Sequence, residues 1–171
     1  MNIINIEFKA KVDDLDRYEK KLLDLNPVFK GIDHQIDTYF NVTKGRLKLR
    51  EGNIENSLIN YDRENINASK QSDVILYQHE PNGALKNILI KQLGVKITVD
   101  KKRKIYFIDN VKFHFDLVEG LGTFIEVEAI DNSGSFSVEQ LKEQCDTYFN
   151  YFGLDKSQLI DKSYSDLVET R

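Results

Sequence analysis

From Val111 to Ala129 the chain reads VKFHFDLVEGLGTFIEVEA, two alternating runs about a glycine-bearing turn. Val111, Phe113, Phe115 and Leu117 share one face of the first run, and Lys112, His114 and Asp116 share the other. After Glu119-Gly120-Leu121-Gly122, Ile125, Val127 and Ala129 share one face, and Phe124, Glu126 and Glu128 the other. A period of two around such a turn predicts a β-hairpin with one greasy side and one largely charged side. Glu126 and Glu128 then point the same way, roughly 7 Å apart along the strand. Neighbouring carboxylates repel unless one is protonated or a cation bridges them. A hard divalent ion with oxygen ligands is the suitable bridge.

Other segments repeat the pattern. In residues 3–12, Ile4, Ile6, Phe8, Ala10 and Val12 oppose Asn5, Glu7, Lys9 and Lys11. After the Lys44-Gly45 turn, Arg46, Lys48 and Arg50 alternate with Leu47 and Leu49. Strands are also expected around 35–41, 57–63 (Ile59, Tyr61 and Arg63 on one face), 73–80 and 95–109, with Lys101 and Arg103 on one face. Residues 64–72 read as a polar loop, and Asp109-Asn110 as a turn without the usual glycine. Helical spacing follows Asp13 as N-cap (Leu15, Tyr18, Leu22), runs from Asn82 or Gly83 to Gly94, and spans Val138 to Gly153. Strands joined mostly by short turns, with about three principal helices, favour an antiparallel α+β domain covering residues 1–171. Eight antiparallel strands can close into a barrel, and periodicity leaves that open beside a flat sheet with helices on one face.

An antiparallel sheet often buries one face and wets the other, which accounts for any single strand here. Taken together the polar faces are segregated: basic residues gather on four strands, acids on the hairpin's end and the first strand. An exposed sheet needs no such sorting. Turned inward, these faces would make a poor core and a good site for a polyanion with its metals. Arg offers phosphate a planar fork and Lys a point charge, while Mg2+ is usually held by carboxylates plus substrate phosphates.

Several classes are disfavoured. The 171-residue chain is 40% hydrophobic and 30% charged with formal net charge −4, so no nucleic-acid partner is expected. Lys101-Lys102-Arg103-Lys104 would split between two strand faces. Charges interrupt every apolar run, and the N-terminus lacks a basic segment followed by an apolar core. No membrane partner is expected, and a cytoplasmic location is. His34, His79 and His114 show no zinc spacing with one another or with Cys145, the single cysteine, which falls in a helix's apolar stripe.

The strand Asn5-Ile-Glu7-Phe-Lys9-Ala-Lys11 resembles the N-terminal Glu-x-Glu-x-Lys strand of the CYTH superfamily, named for class IV adenylyl cyclases and thiamine triphosphatases. Further pieces match in order: Asp37-Thr-Tyr-Phe40 before Arg46-Leu-Lys48-Leu-Arg50, Tyr61-x-Arg63, Lys101-x-Arg103, Gly120-Leu-Gly122-x-Phe124-x-Glu126-x-Glu128, and Ser163-Tyr164-x-Asp166-Leu167. The resemblance covers essentially the whole chain and is nearest the class IV cyclase branch. It implies a triphosphate tunnel, an eight-stranded antiparallel barrel with a charged lumen and helices packed outside. It implies Glu7, Glu126 and Glu128 as metal ligands and Mg2+ or Mn2+ as cofactor. It implies Lys11, Arg46, Lys48, Arg50, Lys101 and Arg103 as substrate-binding residues, and Lys9, Arg63 and Asp116 as catalytic ones. Asn5 departs from the pattern by standing where the family has its first glutamate; an amide coordinates through oxygen but brings no charge.

The implied function is metal-dependent triphosphate processing. A class IV-like cyclase would convert ATP to cyclic AMP and pyrophosphate. The alternatives are a triphosphatase acting on inorganic, thiamine or nucleoside triphosphate, and, given Asn5, a non-catalytic polyphosphate or nucleotide binder. A homodimer stays open as the assembly.

Overall fold

The computed structural model describes the backbone of residues 2–66 and 69–171, and side chains other than those of residue 2 and residues 63–73. The elements run β1 (Asn2–Lys11), α1 (Leu15–Leu23), β2 (Val28–Phe40), β3 (Arg46–Glu51), β4 (Ser57–Ile66), β5 (Ser69–Gln78), α2 (Gly83–Leu93), β6 (Val95–Ile108), β7 (Val111–Val118), β8 (Gly122–Asp131), α3 (Val138–Phe152) and α4 (Tyr164–Glu169). A single 3-10 turn, Lys156–Gln158, precedes α4. The strands close into one barrel in the order β1-β5-β4-β3-β2-β6-β7-β8, every pair antiparallel. Closure resolves the choice that periodicity leaves open.

Closure also decides which face is the core. The apolar face points outward, under helices. Ile6, Phe8 and Ala10 of β1, Phe113 and Phe115 of β7, and Ile125 and Val127 of β8 pack with Tyr18 and Leu22 of α1 and with Leu141, Cys145 and Phe152 of α3. Phe113 meets both Tyr148 and Phe152 edge-on, at centroid separations of 4.7 and 6.3 Å. Fully burying side chains of this size is worth about 1.5–3 kcal/mol each, so this outer layer carries the sheet and frees the lumen to be polar. A second apolar cluster sits on the inward positions toward one end: Tyr39, Ile59, Tyr61, Val99, Val118 and Phe124, with Tyr164 of α4 packed against them.

The turns follow local chemistry. Asp109-Asn110 joins β6 to β7 as a two-residue turn, with Ile108 opposite Val111. Asp109 takes φ 50°, a left-handed conformation that Asp tolerates better than most residues, so the missing glycine is no obstacle. Gly120, at φ 70°, serves the β7–β8 turn.

Three boundaries differ from the sequence reading. The N-cap of α1 is Asp14, whose carboxylate accepts from the Arg17 N–H at 3.1 Å. The expected 64–72 loop is mostly strand, with β4 reaching Ile66 and β5 resuming at Ser69 in register with it. β2 starts at Val28, well before Gln35. Its first half reads poorly because the register shifts between Phe29 and Gly31, which breaks the alternation. Gly31 has φ 139°, and a Cβ there would meet Ile54 Cδ1 at 2.7 Å.

Candidate functional site

The lumen holds a cavity of about 820 Å³. Glu7 and Lys9 of β1, Lys48 and Arg50 of β3, Lys101 and Arg103 of β6, and Glu126 and Glu128 of β8 all line it, with Glu55, Lys112 and Asn5. Strand register creates these neighbours: Glu7 lies opposite Glu128, Lys9 opposite Glu126, His114 opposite Glu126, and Arg50 opposite Asp37.

The basic wall has an internal counter-ion. The Asp37 carboxylate, 1% exposed, sits 2.8 Å from Lys101 Nζ, 3.1 Å from Lys48 Nζ, and 2.8 and 2.9 Å from Arg50 Nε and Nη2. Burial alone would raise its pKa; Arg50, Lys101 and Lys48 override that and hold it well below the usual range. Lys101 moves the other way. Burial lowers it, Arg50 and Arg103 add repulsion, and despite Asp37 it falls to about 7.

The acidic side is tied by several bonds. Arg103 donates to Asp116 through Nε at 2.7 Å and Nη2 at 2.6 Å, and reaches Glu126 at 3.3 Å. Tyr164 donates its hydroxyl to Asp116 at 2.7 Å. Lys9 stands 3.4 Å from Glu126 and 4.0 Å from the Tyr164 ring centroid. Glu126 is held well below the usual carboxylate range, since Lys9, Arg103 and His114 outweigh burial. Glu128, with burial and the nearby Glu126 and Glu7 against it, is pushed up to about 8. His114 Nδ1 lies 3.2 Å from Glu126 Oε1 and 3.7 Å from Glu128 Oε1. Burial, Arg103 and Lys112 lower that imidazole to about 3, so it is neutral at neutral pH.

Glu55 closes the network. It sits in the β3–β4 connection, pairs with Arg50 at 3.2 Å and with Lys112 of β7, and accepts from Gln35 at 3.1 Å. Asp33 positions it: that buried carboxylate accepts the backbone N–H groups of Ile54 and Glu55, each at 2.9 Å.

Not every expected residue reaches the cavity. Lys11 is exposed past the rim, its ammonium 5.9 Å from the Phe124 ring. Arg46 turns to α4, donating to both Asp166 oxygens at 3.0 and 2.9 Å and to Ser163, beside a separate cavity of about 440 Å³. Asp116 is fully buried against Arg103 and Tyr164 and does not line the main cavity. The Arg63 side chain lies outside the described residues.

Sequence reasoning assigned no role to Asp37, Glu55 or His114. Asp37 and His114 stood in the quoted patterns, and the available signal was their share of a strand face with other site residues. Glu55 carries no such signal, because a loop placed by Asp33 delivers it. Tyr164 contributes its hydroxyl and ring to the ionic site besides packing against the apolar end.

Asn5 Oδ1 fits a cation: it is buried without a hydrogen-bond partner among the described residues. His114, Glu126 and Glu128 each offer a ligand atom, all within 4.8 Å of one another. That donor set and the cation-rich wall facing it suit a divalent ion beside a polyanion.

A closed antiparallel barrel with an inward-facing ionic lumen thus defines the class of protein. Residues 4–137 match the CYTH domain model, and the chain belongs to the CYTH domain family. A Methanocaldococcus jannaschii protein named "putative adenylate cyclase" is 29% identical over 96% of this chain and 98% of its own. Among solved structures, a Pyrococcus horikoshii OT3 protein has TM-score 0.81 at 24% identity, covering 95% of this chain and 98% of that one. A Hippeastrum structure described as a "putative adenylyl cyclase" with "a dominant triphophatase activity" has TM-score 0.68 at 12% identity, covering 99% and 96%. At these identities the two structures show a shared fold. No helix among the described residues is long and apolar enough to cross a membrane.

Proposed function

We propose that this chain is a triphosphate-processing enzyme of the class IV adenylyl cyclase kind, converting ATP to cyclic AMP and pyrophosphate. The observation that carries the reading is the lumen, where Lys48, Arg50, Lys101 and Arg103 line the cavity that Glu7, Glu126 and Glu128 also line. The full-length likeness to the Methanocaldococcus protein supports the cyclase form.

In this reading Lys48, Arg50 and Lys101 exchange part of their hold on Asp37 for phosphate oxygens. Arg103 keeps its fork on Asp116 and presents its remaining edge to the substrate. Lys9, between Glu126 and the Tyr164 ring, would neutralise negative charge on a leaving pyrophosphate bound beside them. Glu7, Glu126 and Glu128 would hold Mg2+ or Mn2+, which supplies neutralisation of phosphate charge and polarisation of P–O bonds. The barrel wall and α4 limit water at the buried end, which favours attack by a substrate hydroxyl.

The second reading is a triphosphatase, favoured by the Hippeastrum protein, which joins the cyclase name to a described triphosphatase activity on the same fold. A non-catalytic polyphosphate binder is the third, and Asn5 is its motive. Purified protein is incubated with Mg2+ or Mn2+ and ATP, inorganic triphosphate or thiamine triphosphate, and products are identified by chromatography. Cyclic AMP with pyrophosphate is the expected result. Orthophosphate with the diphosphate supports the triphosphatase, and binding without product supports the third reading.

A further inference from the structure

His114 is fully buried, on the inward side of β7, opposite Glu126 of β8. Its Nδ1 faces one oxygen of each neighbouring carboxylate, at 3.2 Å from Glu126 and 3.7 Å from Glu128. Ligand atoms from all three residues fall within 4.8 Å of one another, close to the 4–5 Å or so that two ligands on one ion span. A side chain whose only task was to donate to Glu126 could be satisfied by an amide or hydroxyl. The nitrogen that faces both carboxylates is Nδ1, so its lone pair is the one a cation between them would meet, with the ring proton then on Nε2. On β1, the strand paired with β8, Asn5 supplies an oxygen that is buried without a hydrogen-bond partner among the described residues. The donor set therefore combines carboxylates with two neutral donors, one of them nitrogen.

We propose that His114 is a nitrogen ligand of the divalent cation held by Glu126 and Glu128, and that the site consequently selects Mn2+ over Mg2+. The inference rests on the reading of the acidic side as a metal site and goes further by naming a ligand and a metal. Mg2+ takes oxygen ligands in near-ideal octahedra and sheds water reluctantly, whereas imidazole suits first-row transition ions. Replacing a family carboxylate by Asn5 moves the site in the same direction, since it removes charge on which a hard ion depends.

The test is pulsed EPR of the full chain loaded with Mn2+, prepared with natural-abundance and with 15N-labelled histidine. The expected spectrum contains a directly bound nitrogen coupling that changes on labelling, persists in H34N and H79N, and is lost in H114N. Asn keeps a polar group beside Glu126 without the imidazole lone pair, so H114N should lose Mn2+ affinity on the order of tenfold or more while Mg2+ affinity moves much less. The labelled wild-type chain answers the question even if H114N fails to fold. Tightly bound Mn2+ with no label-sensitive coupling overturns His114 as a ligand and leaves the triphosphate reading standing. Failure to bind either ion, with and without inorganic triphosphate, overturns both.

Discussion

Replacing Asp37 by Asn keeps the side chain's shape and removes the charge on which three cations, two of them buried, converge. Lys101 is 2% exposed, Arg50 9%, and both rest on Asp37 with Lys48. Breaking a buried pair by deleting one partner costs about 3–5 kcal/mol, because the other charge is stranded. For a domain of this length each kcal/mol shifts the melting temperature by about 2–4 °C, so D37N should melt roughly 6–20 °C lower. A pH signature accompanies the loss. Lys101 is already down at about 7 against an ordinary 10.5, so above pH 7 the unfolded chain binds more protons and stability rises with pH until about 10.5. Asp37 is what holds Lys101 up, so D37N lowers it further, and the variant should gain more stability than wild type from pH 6 to 9. Inorganic triphosphate offers oxygens to the same cations and should raise the melting temperature of D37N by more than it raises that of wild type. Calorimetry across pH, with and without triphosphate, measures all three effects. A D37N midpoint within about 2 °C of wild type at pH 7, with the same pH slope, would refute Asp37 as the anchor.

E126A and E128A should abolish turnover while leaving the melting transition cooperative; wild-type rates at an unchanged metal requirement would sink the acidic residues as metal ligands. In chelator, Glu128, pushed up to about 8, keeps its proton in the folded state where the unfolded chain has lost it. Its contribution is full below the unfolded value of about 4.5 and is lost as pH rises through about 8, so E128Q should flatten the stability decline from pH 5 to 8 seen by thermal melts. R46A removes the bidentate hold on Asp166 and the bond to Ser163; amide exchange across 163–170 should speed up while the α3 amides stay protected. Cys145, buried with its thiol pushed up to about 12, should react with a thiol reagent only at the rate of global unfolding, and rapid labelling of the native chain would contradict its packing.

The parts of this molecule that read well in sequence are those with a period. Glu7 and Lys9, Lys48 and Arg50, Lys101 and Arg103, and Glu126 and Glu128 are spaced by two, so each pair declares a shared face. The resemblance then supplies the closed barrel, a choice that faces alone leave open. What reads poorly depends on register or on a single residue. Asp37 becomes the hub of the basic wall only because β2 sets it opposite Arg50. Glu55 reaches Lys112 across the barrel because Asp33 holds its loop by two backbone bonds. The first half of β2 is hidden by the bulge between Phe29 and Gly31, where alternation slips by one. Arg46 shares the spacing of Lys48 and Arg50 yet belongs to α4, because the C-terminal helix offers Asp166 at that end of β3.

The seam between β1 and β8 has a temporal consequence. Glu126, Glu128 and His114 lie on one hairpin and can meet early, but Glu7 and Lys9 join them only when the first strand docks on the last. Well over half of the chain intervenes, so this contact carries a large loop-closure penalty and comes late by default. A cation gripped from both sides of the seam acts as a clasp. The binding energy of a cation held there would add directly to the free energy of shutting the ring.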